Sequence, residues 1–320
     1  MPLDRRTLLK LGLGAGAGIL LDAVPGSAWS RGQTALVTKV IPSSGERIPV
    51  IGLGSAATFA LTERSRGWEP AREVVRLFEE LGGKVVDTSP TYRRSEAFLG
   101  RALQDFGIGD DVFVATKVNV GSAGVEAAFR QMEESSRTFG RPVIDLMQVW
   151  NLGDSIDDLT DRFLPEHVEA VSEWKARGRA RYVGITTSRD PQYPDVEDAM
   201  ERYELDFVQL DYSIGDRIPE RRLLPLAQEK GIAVIANRPF ATGNLFGRVR
   251  GQALPGWVAE LDCSSWAQYF LKFVVSHPAV TCAVPATGDP EHLRDNMGAG
   301  RGRLPNPAMR TRMVEHFEGL

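Results

Sequence analysis

Short apolar runs alternate with longer amphipathic stretches along most of this 320-residue chain. The apolar runs are rich in β-branched residues and carry few polar positions, which is typical of strands that are buried on both faces. They lie at residues 49–53, 84–87, 112–117, 145–150, 182–186, 207–210, 233–236 and 281–284. The pattern therefore predicts eight strands of a mainly parallel sheet.

The stretches between these strands have the spacing of amphipathic helices. Helices are predicted over residues 70–81, 95–106, 125–138, 165–177, 196–203, 220–230, 264–276 and 290–298, with a further one over 308–317. Eight successive strand–helix units favour an α/β fold, a single (β/α)8 TIM barrel, over an open sheet. Catalytic side chains of such a barrel lie at the carboxyl ends of its strands.

Three polar residues stand where that barrel would place its catalytic groups. Asp87 ends one predicted strand, Lys117 ends the next, and Tyr92 follows Asp87 in a proline-containing loop. A nearby ammonium favours the phenolate, so a tyrosine beside a lysine becomes a better acid. Such a phenol can protonate a carbonyl oxygen while hydride reaches the carbon. The alternative from spacing alone is a structural Asp87–Lys117 ion pair with an unrelated loop tyrosine.

Several ordered motifs add to this pattern. They are Asp87-Thr88-Ser89-Pro90-Thr91-Tyr92, Ser95-Glu96, Ala115-Thr116-Lys117, Asp145-Leu146-Met147-Gln148-Val149, residues 178–185 and Val284-Pro285-Ala286-Thr287-Gly288. From about residue 38 to about residue 298, the chain resembles the aldo-keto reductase superfamily. The resemblance implies reduction of a small aldehyde, ketone or quinone. In that reaction Tyr92 would be the general acid, Lys117 would lower its pKa and Asp87 would hold Lys117.

One position departs from the family pattern. The family usually has a histidine where this chain has Trp150, and that histidine orients and polarises the carbonyl. An indole has one N–H donor and no acceptor, and it cannot change its charge. Trp150 is therefore either a pocket wall in an active enzyme or the mark of a nicotinamide-binding sensor with little turnover; neighbouring Asn151 is an alternative polar group. A Schiff-base lyase using Lys117 is a further alternative, although pairing with Asp87 would keep this amine charged.

The resemblance also implies a set of cofactor-binding residues. It assigns Thr186, Thr187, Gln209 and Tyr212 to the nicotinamide, Pro239, Phe240, Gly243 and Leu245 to the pyrophosphate, and Thr287, His292 and Asn296 to the adenosine half. Tyr212 either stacks on the nicotinamide or is buried in the wall. NADP is the expected cofactor, and NAD stays open because Ala286 and His292 stand where the family often has lysine or arginine.

The amino terminus resembles a twin-arginine export signal. Arg5 and Arg6 precede an apolar run at residues 11–21, which is shorter than the roughly 20 residues that a bilayer-spanning helix needs. Small residues near position 28 offer a cleavage site. We therefore expect residues 1–30 to be a signal peptide and residues 31–320 to be the barrel domain. This organisation predicts a periplasmic or exported protein that engages the twin-arginine export machinery and has no stable transmembrane segment.

Composition limits the remaining classes of function. The net charge is −4 and no stretch is rich in lysine or arginine, so nucleic-acid binding is not expected. The His, Cys and carboxylate residues lack metal-ligand spacing, so no metal site is predicted. Cys263 and Cys282 are able to pair in an oxidising compartment, but Cys282 lies within a predicted strand, which favours a buried free thiol.

Overall fold

The computed structural model of the protein describes residues 35–150, 160–188 and 190–320. Residues 35–320 cluster as one compact unit. The signal predicted for residues 1–30, and Asn151, lie outside the described residues, so the expectations attached to them stay predictions. Within the described ranges, no helix combines the length and the apolar composition that crossing a membrane requires.

Parallel strands form the central sheet in the order in which they follow along the chain. The strands of the described part are β1 (Thr38–Val40), β2 (Arg47–Pro49), β3 (Leu53–Gly54), β4 (Val85–Asp87), β5 (Phe113–Val118), β6 (Ile144–Val149), β7 (Ala180–Thr186), β8 (Phe207–Asp211), β9 (Ala233–Asn237) and β10 (Val280–Ala283). Strands β3 to β10 build the sheet. Bridges from Ile51 to Ala283 and from Gly54 to Ala286 join its two edges. The predicted (β/α)8 barrel is confirmed.

Helices cover the outside of the barrel between successive strands. They are α1 (Trp68–Glu80), α2 (Ser95–Phe106), α3 (Gly124–Phe139), α4 (Thr160–Ala176), α5 (Tyr193–Arg202), α6 (Leu223–Lys230), α7 (Asn244–Arg248), α8 (Trp266–Ser276), α9 (Pro290–Ala299) and α10 (Pro307–Glu318). The sequence did not predict the short α7. Helix α6 begins three residues later than predicted because Ile218–Arg221 forms a separate 3-10 turn.

Alternation along the strands separates two apolar layers. Residues facing the inside of the barrel form one cluster with Ile41 and Ile48, comprising Val85, Phe113, Ala115, Leu146, Tyr182, Phe207, Ala233, Ile235, Cys282 and Val284. The other strand residues pack outward against the helices. Every second residue of a strand faces the same side. Asp87 and Lys117 lie two positions beyond Val85 and Ala115, so they face the interior at the upper end of the barrel.

An antiparallel hairpin of β1 and β2 covers the amino-terminal end of the barrel. Its strands pair with Thr38 opposite Pro49, and Ile48 packs into the interior cluster. The Tyr182 hydroxyl bonds to Ser44 Oγ at 2.7 Å and to Glu46 Oε2 at 2.6 Å, which ties the hairpin to β7. The prediction of a barrel strand over residues 49–53 was therefore wrong in its limits, because Pro49 ends the hairpin and the first barrel strand begins only at Leu53.

Candidate active site

A cavity of about 690 Å³ lies at the carboxyl ends of the barrel strands. It is lined by residues 54–58, Asp87, Tyr92, Lys117, Trp150, residues 186–188, Gln209, residues 237–240, Thr242, Gly243, Phe246 and residues 284–286. This volume is in the range of small-molecule sites. The structure thus brings together Asp87, Tyr92, Lys117 and Trp150 with Thr186, Thr187, Gln209, Pro239, Phe240 and Gly243.

The lysine of the site is buried and held in a fixed position. Lys117 Nζ donates to Asp87 Oδ1 at 2.6 Å and to the Thr88 carbonyl at 2.8 Å, and the Lys117 and Asp87 side chains are 2% and 6% exposed. Burial by itself lowers the pKa of Lys117, but the Asp87 carboxylate and Tyr92 beside it outweigh burial and raise that pKa. The bonds to Asp87 and Thr88 thus favour the ammonium form of Lys117, and an amine held in this way is a poor Schiff-base nucleophile.

The tyrosine of the site lies directly beside this cation. The Tyr92 backbone N–H donates to the Ser89 carbonyl at 3.0 Å, which forms the tight turn that presents the half-buried ring to the cavity. Lys117 Nζ lies 5.3 Å from the centre of the Tyr92 ring. An ammonium beside the ring favours the ionised form of the phenol. The pair can therefore give a proton to a carbonyl oxygen at the mouth of the barrel.

The buried carboxyl group of Glu96 contacts β5, the strand that carries Lys117. Glu96, in the first turn of α2, accepts a hydrogen bond of 2.6 Å from the Thr116 hydroxyl. Burial raises the pKa of Glu96, and the bond from Thr116 opposes this effect only in part. Glu96 belongs to the Ser95-Glu96 motif, for which the sequence predicted no separate role. Its contact fixes α2 against the strand residue that precedes Lys117.

Trp150 is the residue that the sequence resemblance places at the family's histidine position. Its backbone N–H donates to the Val118 carbonyl at 2.9 Å, which extends the pairing of β6 with β5, and the half-buried side chain lines the cavity. Within the described residues, no histidine lines this cavity. His277 lies near the end of α8, where burial lowers its pKa to about 4. The described lining therefore holds no imidazole that could polarise a carbonyl.

A polar set from β7 to β9 lies across the cavity. Thr186 and Gln209 are register partners on neighbouring strands. Gln209 is 1% exposed and its Oε1 has no hydrogen-bond partner within the described residues. The Thr187 hydroxyl bonds to Gln192, and Asn237 Nδ2 donates to the Thr187 carbonyl at 3.4 Å. A buried amide oxygen without a donor is costly. A carboxamide N–H₂ brought by a ligand would satisfy Gln209.

The loop after β9 combines cavity contacts with unusual backbone. Pro239, Phe240 and Gly243 line the cavity as expected, and residues 241–243 all have positive φ. The N–H groups of Ala241 and Gly243 donate to the carbonyls of Arg238 and Phe240 at 2.8 and 2.9 Å, which closes a tight turn. Leu245 is 3% exposed and does not line the cavity; it packs instead close to Gly215, where an added Cβ would lie 2.8 Å from Leu245 Cδ2.

Tyr212 is buried in the wall of the barrel, the second of the two positions expected from the sequence. Its side chain is fully buried, and its hydroxyl bonds to Glu220 and accepts from Arg310 Nη2 at 2.7 Å. The ring lies 6.0 Å from that of Phe273 on α8. Tyr212 therefore belongs to the contact between the barrel and α10, and its ring does not line the cavity.

The residues predicted for the adenosine half lie beyond the cavity. Thr287 and Asn296 are buried, whereas His292 is exposed in the first turn of α9. The Asp289 carboxylate caps this turn, because its Oδ1 accepts from the backbone N–H groups of Glu291 at 2.8 Å and His292 at 3.4 Å. Contact of Thr287, His292 and Asn296 with a cofactor stays a prediction.

Sequence reasoning missed part of the lining. The missed side chains lie in the loop after β3, at the end of β9 and in α7, and include Ser55, Thr58, Asn237, Arg238 and Phe246. The loop after β3 is tightly packed at Gly54, where a Cβ would lie 2.6 Å from the Val284 carbonyl oxygen. A signal for Asn237 was available, because this polar residue ends the apolar run of β9, as Asp87 ends that of β4.

A sequence model of the Aldo/keto reductase family matches residues 50–311. The barrel and its tyrosine–lysine–aspartate site define the class of the protein, an NAD(P)-dependent oxidoreductase. The chain belongs to the aldo/keto reductase family.

Two proteins of Escherichia coli (strain K12) are similar in sequence. Methylglyoxal reductase YeaE is 28% identical over 269 residues, which cover 81% of this chain and 88% of that protein. The NADH-specific methylglyoxal reductase is 28% identical over 194 residues, which cover 55% of this chain and 58% of that protein.

Two solved structures from Klebsiella pneumoniae share the fold. An aldo-keto reductase in complex with NADPH has a TM-score of 0.70 at 25% identity, covering 88% of this chain and 96% of that one. An aldo/keto reductase in complex with NADP and acetate has a TM-score of 0.72 at 24% identity, covering 87% and 94%.

Proposed function

We propose that the protein reduces a small aldehyde, ketone or quinone to an alcohol, with NADPH as hydride donor and Tyr92 as proton donor. The observation that carries this proposal is the placement of Lys117 Nζ, 5.3 Å from the Tyr92 ring centre and 2.6 Å from Asp87 Oδ1, in the mouth of the barrel. A phenol beside a fixed cation is suited to protonating a carbonyl oxygen. Asp87 keeps that cation in place.

The cavity fits the nicotinamide half of the cofactor. Gln209 has a buried amide oxygen without a donor, and Thr186 lies beside it at the rim. In the positive-φ segment 241–243, the N–H groups of Ala241 and Gly243 already donate to carbonyls of the loop, so within the described residues the N–H of Thr242 is the one left for a phosphate. Structures of two similar proteins contain NADP or NADPH, which supports NADPH as the first cofactor to test; NAD stays open. When bound, the cofactor supplies hydride to the carbonyl carbon.

Each residue of the site then has one task. Lys117, kept charged by Asp87, stabilises the developing phenolate while Tyr92 Oη gives its proton to the carbonyl oxygen. Trp150 excludes water from one side and narrows the space for the substrate. Electrostatic support of this kind requires no rearrangement during the reaction, because burial and the bonds to Asp87 and Thr88 already fix the ammonium.

The presence of Trp150 also favours a second candidate function. An indole N–H can donate one hydrogen bond, but it cannot act as an acid or a base near neutral pH. A protein that binds NADPH and turns over weakly would serve as a nicotinamide-responsive sensor. Replacing Trp150 by histidine separates the two functions, since a large gain of turnover in Trp150→His would show that the native residue limits catalysis.

The decisive experiment measures NADPH oxidation at 340 nm. Methylglyoxal is the first substrate because two similar proteins are named methylglyoxal reductases; simple aldehydes and quinones follow. We expect turnover in the native protein and a loss of at least about 100-fold in Tyr92→Phe. Equal turnover in both proteins would contradict the role of Tyr92. NADPH binding without turnover in either would favour the sensor.

We also propose that the protein is exported in folded form by the twin-arginine route. Arg5, Arg6 and the apolar run at residues 11–21 support this proposal, as does the need to carry a cytoplasmic cofactor across the membrane. Replacement of both arginines by lysine should leave the protein in the cytoplasmic fraction of a bacterial host. Unchanged export of that variant would contradict the proposal.

A further inference from the structure

The cavity contains a cation that the proposed reaction does not use. Among the described lining residues, the charged side chains are Asp87, Lys117 and Arg238. Lys117 is buried and its ammonium is committed to Asp87 and Thr88. The Arg238 side chain is 46% exposed, so it is the described lining cation that a ligand in the cavity can reach.

The guanidinium of Arg238 is held by one of its nitrogens. Nη1 donates to Asp211 Oδ2 at 3.0 Å and to the Ser188 carbonyl at 2.9 Å. Within the described residues, Nη2 and Nε have no acceptor. A guanidinium carries five N–H donors in a planar fork, and a fork edge of this kind binds carboxylate or phosphate through two parallel bonds. Asp211 and Ser188 thus hold the guanidinium through Nη1, and its edge formed by Nε and Nη2 is available to a ligand.

The backbone directs this side chain towards the cavity. Ile235 and Asn237 face the same side of β9, so simple alternation would turn Arg238 away from the interior. Arg238 instead has φ +45°, a conformation that is strained for a residue with a side chain, and Pro239 follows it. Strained backbone of this kind persists where the surrounding structure enforces it, often at functional sites.

The ion pair with Asp211 does not compete strongly with an incoming anion. The Arg238 side chain is 46% exposed, so water screens its attraction to Asp211, which is 14% exposed. Asp211 Oδ2 holds Nη1 while Asp211 Oδ1 has no partner within the described residues. A ligand oxyanion can therefore bind the free edge of the fork without first breaking the bond to Asp211.

We propose that Arg238 is the anion-recognition residue of the cavity. It receives an oxyanion, which is either a phosphate of the nicotinamide cofactor or a carboxylate on the carbonyl substrate. This inference rests on the proposed function, because both sources are ligands of the reductase site. It adds a preference for an anionic ligand to that function. Lys117 is neutralised by Asp87, and the other described lining residues apart from Arg238 are neutral.

The test uses Arg238→Gln, with Arg303→Gln as the matched control. Arg303 forms an Arg–Asp pair with Asp262, Nη2 to Oδ1 at 2.8 Å, that does not line the cavity. One arm measures the Kd of NADPH from the quenching of tryptophan emission. The other compares 4-formylbenzoate with its neutral methyl ester, both by kcat/KM and by binding. These two aldehydes differ in one negative charge.

Each source of the oxyanion gives its own result in Arg238→Gln. If the source is the cofactor, the Kd of NADPH rises about tenfold or more and the preference between the two aldehydes is unchanged. If it is the substrate, the preference for 4-formylbenzoate falls about tenfold while the Kd of NADPH is unchanged. Arg238→Lys should keep part of either effect, because it retains the charge but not the fork.

The failure of the inference differs from the failure of the proposed function. A Kd and an aldehyde preference that both stay within about twofold of the native values in Arg238→Gln would overturn the inference, even with normal turnover. Absence of turnover in the native protein would overturn the reductase, while the two binding measurements would still decide the role of Arg238. Arg303→Gln should leave both ligand measurements unchanged.

Discussion

Two ion pairs border the same cavity, and they differ in how much water reaches them. The side chains of Lys117 and Asp87 are 2% and 6% exposed, whereas those of Arg238 and Asp211 are 46% and 14% exposed. A buried charge that loses its partner is costly, but a half-exposed one is rehydrated. The first pair is therefore fixed and acts only through Tyr92, whereas the second can share its cation with a ligand.

The largest expected effect comes from removing the buried cation. Lys117→Met leaves the Asp87 carboxylate buried without its partner, so we expect the free energy of unfolding to fall by about 3–5 kcal/mol. Turnover should fall by at least about 100-fold, because no charge then stabilises the phenolate of Tyr92. Urea unfolding and NADPH oxidation measure the two effects separately.

A double variant separates the two roles of Lys117. Lys117→Met combined with Asp87→Asn removes the unpaired charge, so most of the stability should return while turnover stays low. Recovery of turnover in the double variant would show that Lys117 acts on the fold rather than on Tyr92.

Asp211, the acid of the Arg238–Asp211 pair, should make the stability of the folded protein depend on pH. Burial raises the pKa of Asp211 from 3.8 to about 6, although Arg238 opposes this shift. Between these two pH values the folded protein keeps a proton that the unfolded chain has lost, so stability falls as the pH rises through this window. In Asp211→Asn this contribution is absent. Relative to that variant, the native protein should lose on the order of 2 kcal/mol between pH 4 and pH 7.

Comparison of native protein and Asp211→Asn by urea unfolding at several pH values tests this expectation. Both proteins share the other titrating groups, so the difference between their unfolding free energies isolates Asp211. A difference that stays constant from pH 4 to pH 7, or that favours the native protein as the pH rises, would show that Asp211 is not shifted upward.

Most of the barrel was predictable because local patterns and tertiary packing agree there. The helix predicted over residues 95–106 is observed as Ser95–Phe106, and it ends where Gly107 adopts φ +69°. The strand end at Asp87 was also predictable, since this polar residue terminates an apolar run, whereas β5 ends at Val118, one residue beyond the predicted end at Lys117. The hairpin of β1 and β2 was missed because its short strands lack a repeated pattern, and their pairing depends on the barrel end that they cover.

The remaining site residues depend on side-chain direction, which hydrophobic pattern reports only in part. Gln209 faces the barrel interior, so alternation along β8 already predicts that Tyr212, three residues later, faces outward. This signal was available and favoured the buried alternative. Arg238 was not predictable in this way, because its positive φ reverses the direction that alternation would give.

A third charged cluster, away from the cavity, provides a reference for both pairs. Tyr212 bonds to Glu220 and Arg310, and Arg310 Nη2 also donates to Glu220 Oε1 at 2.8 Å. In Tyr212→Phe the Arg310–Glu220 bond remains, so we expect a loss of about 1–2 kcal/mol in unfolding free energy. The Kd of NADPH and turnover should stay within about twofold. A large loss of NADPH affinity would place Tyr212 at the cofactor after all.

The smallest expected effect on stability comes from breaking the half-exposed Arg238–Asp211 pair by removing its cation. Arg238→Gln removes a cation that is 46% exposed and whose attraction to Asp211 is screened by water, so the free energy of unfolding should change by less than about 1 kcal/mol. The same measurement on Lys117→Met gives the contrast within one cavity. A loss of several kcal/mol in Arg238→Gln would mean that Arg238 is structural. A small loss accompanied by a large change in ligand affinity is expected of a cation that is held in place for a ligand.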